Sequence, residues 1–465
     1  MEKTKALGLF LCVAAMAICP QVKAITPNPL VSGGVKAIAD GTETDYLTDG
    51  SLINWKYSTA KKIAFQLKEG PTKLRINWES LGDCAWATNF TTGCGHSGTA
   101  LSDFKIFTSA NSTNGVDGDW TLATEVKGNP VMARGVDIDF AGKSWFRIES
   151  EKEVGQILEV QAFDMSNDGD DTWFFMGTSI SQMGIKQQDT DSTTADLIHA
   201  RHPDFTPAML RGGIGCINST EVVAHLGEYL EYAGNVKYLA IEMGTNDAWG
   251  GGDWNVGTFE KNMQTIIDSA KAHGITPVLA RIIATNPAKT DGGWQINPKF
   301  LDVIDNLTQK NGLPKGPDFY SYFEAHPELL ANDGVHPNGE TGGGKAMHRL
   351  WAEALSPLYA TSSIPTSSSS EPETPGSSST TEFIALTAPA AALVQLQGQN
   401  IVVSPQLPGE VTFSLVDMTG HVVANTRAYV QQGATHSFAV QAPAGSYIAT
   451  VRGPGGKASI NVRFK

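Results

Sequence analysis

The sequence predicts a multidomain protein in which a three-layer α/β domain with a parallel sheet lies between two β-sandwiches. Three observations predict it. Residues 25–166 carry short runs of alternating polar and apolar character separated by Gly, Asn, Asp and Ser. Over 167–360, apolar runs of strand length alternate with stretches of helical length. Strand-like alternation alone then returns over 382–465, behind a stretch of Ser, Thr, Pro and Glu. Period-two alternation marks half-buried antiparallel strands, whereas strands separated by helices mark a parallel sheet covered on both faces.

Each segment follows from its own pattern. Met1–Ala24 places Lys3 and Lys5 ahead of the apolar run Ala6–Ile18 and ends in the small-residue site Val22-Lys-Ala24. That is the layout of a secretory signal peptide, and the run is short for a membrane span, so a secreted, extracellular protein with no membrane span is expected. In 25–166 strands are expected at Lys62–Leu67, Lys73–Trp78, Asp103–Phe107, Gly135–Phe140, Trp145–Ile148 and Leu158–Phe163. Asn167-Asp-Gly-Asp-Asp171 reads as an acidic hinge. The α/β segment offers strands at Thr172–Gly177, Ala208–Arg211, Val236–Gly244, Thr276–Ile283 and Asp318–Phe323. Its helices are expected at Thr193–Arg201, Ser219–Ala233, Val256–His273, Pro298–Asn311 and Gly343–Tyr359, with Gly274 and Gly312 as stops. Residues 361–381 are too polar to bury a core and read as a linker. Val411–Val416, Ser437–Val440 and Tyr447–Val451 give strands to a small C-terminal sandwich.

A formal net charge of -14 on 465 residues disfavours nucleic acid and anionic lipid as partners and leaves a neutral or weakly charged ligand easier to accommodate. Of the five cysteines, Cys12 and Cys19 lie in the signal segment. Cys84 and Cys94 flank a short loop and are expected to form a disulfide, which leaves Cys216 as an unpaired, small buried residue. His199 and His202 are expected on the surface, Asp189 and Asp191 in a solvated loop. Trp55, Trp78, Trp86 and Trp120 belong to a sandwich core or stack on sugar rings.

The chemistry concentrates at the ends of the α/β strands. Thr172-Trp-Phe-Phe-Met-Gly-Thr-Ser-Ile-Ser181 is an apolar run that ends in small polar residues, which places Ser179 at the carboxyl edge of the sheet. A serine hydroxyl needs a base, usually a histidine oriented by a carboxylate, and Asp333-Gly-Val-His336 offers both three residues apart. Asn246, within Met243-Gly-Thr-Asn-Asp247, can aim its amide at a developing oxyanion. Asp247 is expected to brace that loop. Trp249 and Trp254 follow in a Gly-rich loop, either as a sugar-stacking wall or as packing.

These motifs, in this order, resemble the SGNH or GDSL hydrolase superfamily. Its blocks correspond to Gly177-Thr178-Ser179, a loop within Arg211-Gly-Gly-Ile-Gly-Cys216, Gly244-Thr-Asn246-Asp247 and Asp333-Gly-Val-His336. The resemblance implies that Ser179 is nucleophile and backbone oxyanion donor, His336 base then acid, Asp333 its orienter and Asn246 an oxyanion donor. The second block adds a backbone N–H, placed here on Gly215 with Cys216 left open. No metal or organic cofactor is implied. Thr178 departs from the usual aspartate, and Arg211 stands in the place of an asparagine. Asp49-Gly50 before Trp55, Trp120 after a Ser/Asn-rich loop and Arg147 in a late strand make 25–166 resemble a discoidin-like, galactose-binding-type jelly roll. The C-terminal segment resembles modules that attach secreted enzymes to a surface or guide export. The expectation is a secreted serine esterase acting on acetylated polysaccharide or oligosaccharide, xylan among them. The competing expectations are a lipase or thioesterase on the same scaffold and a carbohydrate-binding protein that has lost catalysis.

Overall fold

The computed structural model describes residues 25–50, 56–68, 70–80, 100–151, 156–186 and 192–359, then 392–397, 400–405, 409–417, 422–430, 436–439, 442–443, 445–453 and 456–464. The signal segment, the 361–381 linker, Trp55, Trp86, Cys84, Cys94, Asp189 and Asp191 lie outside them. The chain divides into two compact units, Met1–Pro365 and Thr366–Lys465.

Among the described residues the first unit opens with nine strands: β1 (Ala37–Ala39), β2 (Thr42–Thr44), β3 (Lys62–Gln66), β4 (Lys73–Ser80), β5 (Phe104–Ser109), β6 (Thr121–Val126), β7 (Ala133–Asp139), β8 (Trp145–Glu149) and β9 (Ile157–Asp164). They form an antiparallel sheet in the order β2-β1-β3-β8-β5-β6 and a second in the order β7-β4-β9. Alternate residues of the two sheets share one core, in which Phe65 stacks on Phe146 and Trp78 meets Phe104 edge-on. Trp78 is therefore core, and Trp120 packs under the Arg147 guanidinium at 3.8 Å.

The α/β part follows with β10 (Thr172–Gly177), α1 (Ser179–Lys186), α2 (Thr194–Arg201), β11 (Ala208–Gly213), α3 (Ser219–Ala224), α4 (Leu226–Ala233), β12 (Tyr238–Glu242), α5 (Val256–Ala272), β13 (Thr276–Arg281), α6 (Pro298–Lys310), β14 (Lys315–Asp318), α7 (Phe319–Ala325) and α8 (Gly343–Leu355). The strands run parallel in the order β11-β10-β12-β13-β14. Every residue of β10 is buried, and its side chains divide between two layers. Phe174 and Met176 join the core under α3 to α6, while Trp173 and Phe175 join the core under α2, α7 and α8. The chain order reverses at β10, and such a switch point opens a crevice at the strands' carboxyl ends, where ligands of open α/β sheets bind.

Two expectations are corrected here. Asp318–Phe323 is not a strand: the fifth strand ends at Asp318, whose side chain accepts the Ser321 N–H and caps α7. Phe319 and Phe323, four apart, then share one buried helical face. The helix expected over Ser219–Ala233 breaks at His225 into α3 and α4.

The outer face of the three-stranded sheet is tied to the α/β part by buried charge. Arg75 pairs with Asp137 at 3.1 Å and donates to the Ala233 carbonyl at the end of α4. Arg211, on edge strand β11, pairs with Glu79 and donates to the Ser80 carbonyl at 3.0 Å. Removing one partner of a buried pair strands the other and costs about 3–5 kcal/mol. Arg211 thus fastens the three-stranded antiparallel sheet to the parallel sheet.

In the second unit β15 (Ala392–Gln397), β16 (Asn400–Pro405), β17 (Gly409–Asp417), β18 (Val422–Val430), β19 (His436–Ala439), β20 (Gly445–Gly453) and β21 (Gly456–Phe464) form antiparallel sheets β15-β16-β19 and β18-β17-β20-β21. Phe413 stacks on Phe438 between them.

Glu159 supplies a test of the packing in the first unit. It is buried on β9, with Oε1 accepting the Gly50 N–H. Burial, aided by the Asp49 charge, pushes its carboxyl up to about 9. An unfolded chain releases that proton at about 4.3, so the stability tied to it is fully present below that value and is lost as pH rises toward 9. Glu159→Gln stays neutral throughout. Its melting temperature is expected to match the parent's at about pH 4 and to exceed it at about pH 8, read by circular dichroism melts.

Candidate active site

Steric room at the sheet edge comes first. A Cβ on Gly177, the last residue of β10, would run into the Ser181 side chain, and one on Gly213, at the end of β11, into the Gln182 backbone. Two glycines therefore let the first turn of α1 settle against the strand ends, with Ser179 as its opening residue.

A second loop delivers the imidazole. Ala331 N–H bonds to the His336 carbonyl, Asn338 N–H to the Leu329 carbonyl and Asn286 N–H to the Gly334 carbonyl, which fixes the Asp333–His336 segment at both ends. Gly334 has φ 71°, a conformation that favours glycine. Asp333 Oδ1 accepts the N–H groups of Val335 and His336 at 2.9 and 3.1 Å, and Oδ2 lies 2.6 Å from His336 Nδ1. His336 Nε2 lies 2.8 Å from Ser179 Oγ. An ionised carboxylate only accepts, so Nδ1 carries the proton toward Asp333 and Nε2 is left to accept from the serine hydroxyl. Burial alone would raise the Asp333 carboxyl; the Val335 N–H and the His336 ring and N–H outweigh it and hold its pKa below the ordinary value. The carboxylate therefore stays ionised where the imidazole needs it.

The oxyanion candidates sit on neighbouring loops. Asn246, just beyond β12, donates one amide hydrogen to the Ile217 carbonyl at 2.7 Å, which sets the direction of the other. Asp247 accepts from the Ser219 N–H and hydroxyl, and Asn262 in turn donates to that hydroxyl, so the loop is braced against α3. The Gly215 N–H is donated to Gln182 Oε1 at 2.7 Å. Cys216 is disulfide-bonded, which corrects its reading as an unpaired residue; it has φ 62°. The Cys84–Cys94 pairing falls outside the described residues.

Trp249 and Trp254 are not core: they are 53% and 79% exposed. Trp249 lies against Trp294, ring centroids 4.9 Å apart. The Trp294 carbonyl accepts from Thr285 and Thr290, whose loop is the one bonded to Gly334. The aromatic surface is thus joined by hydrogen bonds to the loop that carries His336. Trp294 carries no sequence signal of its own, because nothing near it in the chain carries chemistry. Glu242 was missed as well. It closes β12, is fully buried, and accepts hydrogen bonds from residues on both sides of Ser179. An acid inside the apolar run Tyr238–Glu242 was the available signal.

His199 and His202 do not converge on a common point: His199 Nδ1 faces the Phe205 carbonyl, and His202 Nε2 faces Ser356 Oγ. Among the described residues no group of three His, Cys, Asp or Glu is placed to hold a metal ion.

No family model matches the sequence, and no curated protein matches it. Solved structures do. A lipase/acylhydrolase from Enterococcus faecalis is 17% identical, with 40% of this chain and 95% of that one covered and a TM-score of 0.33. An acetyl xylan esterase variant from Geobacillus stearothermophilus is 16% identical over 40% of this chain and 94% of that one, with a TM-score of 0.32. Another acetyl xylan esterase is 20% identical over 39% and 98%, also with a TM-score of 0.32.

The imidazole arrangement has a direct spectroscopic test. A hydrogen bond of 2.6 Å from Nδ1 to a carboxylate shifts its proton far downfield in a proton NMR spectrum. Ser179→Ala is expected to keep that resonance and Asp333→Asn to abolish it; a resonance that survives Asp333→Asn would place the proton elsewhere.

Proposed function

We propose that the protein is a secreted serine esterase of the SGNH or GDSL kind that removes acetyl groups from plant polysaccharide, xylan-type chains among its substrates. The observation that carries the reading is the unbroken relay from Asp333 Oδ2 through the His336 ring to Ser179 Oγ, with contacts of 2.6 and 2.8 Å. That geometry suits acyl transfer, because the hydroxyl can pass its proton to Nε2 as its oxygen attacks a carbonyl carbon.

Ser179 Oγ bonds to the acetyl carbon, and the carbonyl electrons collect on oxygen. The Ser179 N–H and the free amide hydrogen of Asn246 are the proposed donors to that oxyanion, with the Gly215 N–H joining them when Gln182 releases it. The C–O bond to the sugar breaks, and the imidazolium returns its proton to the leaving alkoxide. Water then attacks the acetyl-serine by the same path, and acetate departs. Donors aimed at the developing charge are worth about 10²–10³ in kcat each.

Three features support a sugar ester over a long-chain lipid. Trp249, Trp254 and Trp294 offer flat faces on which pyranose rings can stack. The loop between Asn246 and α5 is rich in Gly and Asp rather than in aliphatic residues. The terminal β-sandwiches would serve as attachment modules for polysaccharide or a cell surface. Among the described residues no helix is long and apolar enough to cross a membrane.

Acetate release from acetylated xylan and from a small aryl acetate tests the reading. Ser179→Ala is expected to abolish release from both, and full activity in that variant would refute the mechanism. Asn246→Ala is expected to lower kcat by about 10²-fold with KM little changed. Trp254→Ala should raise KM for the polysaccharide and leave the aryl acetate untouched; equal effects on both would remove the stacking role. Activity that climbs with acyl chains longer than butyrate would favour a lipase instead.

A further inference from the structure

We propose that Glu242 is a positioning residue for Ser179: one buried carboxylate oxygen grips the residues on either side of the nucleophile and fixes the turn from which its hydroxyl meets His336. The inference rests on the serine-esterase reading and names what holds its nucleophile in place.

Glu242 closes β12 directly opposite Gly177 in the sheet register. Its Oε2 accepts hydrogen bonds from the Thr178 N–H at 3.3 Å, the Thr178 hydroxyl at 3.0 Å and the Ser181 hydroxyl at 3.1 Å. Thr178 Oγ1 in turn accepts the Ile180 N–H at 3.2 Å. Residues 178, 180 and 181 are therefore tied to one point on the neighbouring strand. Thr178, Ile180 and Ser181 are buried, and Ser179 alone among the four is partly exposed, with its hydroxyl on the imidazole.

The arrangement is costly for the fold, which is why it points to function. These donors are neutral, and no cation takes part in the bonds. Burying a carboxyl on such terms is unfavourable, and the burial raises its pKa to about 7 despite the bonds from Thr178 and Ser181. An apolar side chain at the end of β12 would pack at lower cost. It would leave the Thr178 and Ser181 hydroxyls without their acceptor and the turn free to shift. A displacement of about 1 Å in a reacting group costs about 10²-fold in rate.

The test uses the full chain and a fluorophosphonate probe, which needs no knowledge of the natural substrate. Ser179 Oγ bonds to phosphorus, fluoride leaves, and the hydroxyl proton passes to His336. The inactivation rate, the final label per chain and the thermal melt are recorded for the parent, Glu242→Leu and Glu242→Gln. Glu242→Leu is expected to label about 100-fold more slowly while still reaching one label per chain, and to lower kcat on an aryl acetate with KM unchanged. Glu242→Gln keeps an acceptor oxygen and is expected to restore most of the lost rate. A purely structural role would instead lower the melting temperature and the final label, with a parental rate in the surviving molecules. Should Glu242→Leu not fold, Thr178→Val removes the central link alone and is expected to slow labelling about tenfold. Parental rates in Glu242→Leu or Thr178→Val would overturn the inference and leave the esterase reading standing. A parent that takes no label would overturn both.

Discussion

The hydrogen bond between His336 Nε2 and Ser179 Oγ joins residues 157 positions apart, and the architecture of the α/β part is what makes that meeting possible. Parallel strands send all their carboxyl ends to one edge, so the turns after β10 and β12 and the loop before α8 open on the same side. Ser179 and Asn246 follow adjacent strands, and the loop with Asp333 and His336 completes the site from a third direction. Steric demands fall on Gly177 and Gly213, where a Cβ would collide, and on Gly334 and Cys216, where the backbone turns left-handed.

The side chains that meet at this edge, Ser179, Asp333 and His336, were legible in the sequence because each is local to a structural signal. Ser179 follows an apolar run of strand length, Asn246 closes the loop after another, and Asp333 and His336 are close enough in sequence for one turn to bring them together. The residues that hold these in place were not legible. Glu242 meets Thr178 and Ser181 only through strand pairing, and an acid in an apolar strand gives no hint of what it faces. Trp294 reaches Trp249 through tertiary packing between two loops. The pairing of Cys216 is long-range and cannot be read from cysteine spacing. Asp318–Phe323 has the length expected of a strand, yet Phe319 and Phe323 also suit a helical face, and the Asp318 cap decides for the helix.

Arg211 and Arg75 join the antiparallel and parallel parts of the first unit. The Arg211 side chain runs to Glu79 and Ser80 of the sandwich, while Arg75 of the sandwich reaches Ala233 of the α/β part. With both guanidinium groups buried across the boundary, the sandwich and the sheet form one compact unit and share its stability. The site loops after β11 therefore rest on a strand whose outer edge is held by the sandwich.

The central claim is that Ser179 becomes acylated because His336 takes its proton. Rapid acid quenching during turnover of an aryl acetate, followed by peptide mass spectrometry, tests it most directly. The account predicts an acetyl group on the peptide that begins the first helix, located on Ser179 and absent when His336 is replaced by alanine. Acetate released with the label on Ser181 or another residue, or acetylation of Ser179 that persists without His336, would contradict it.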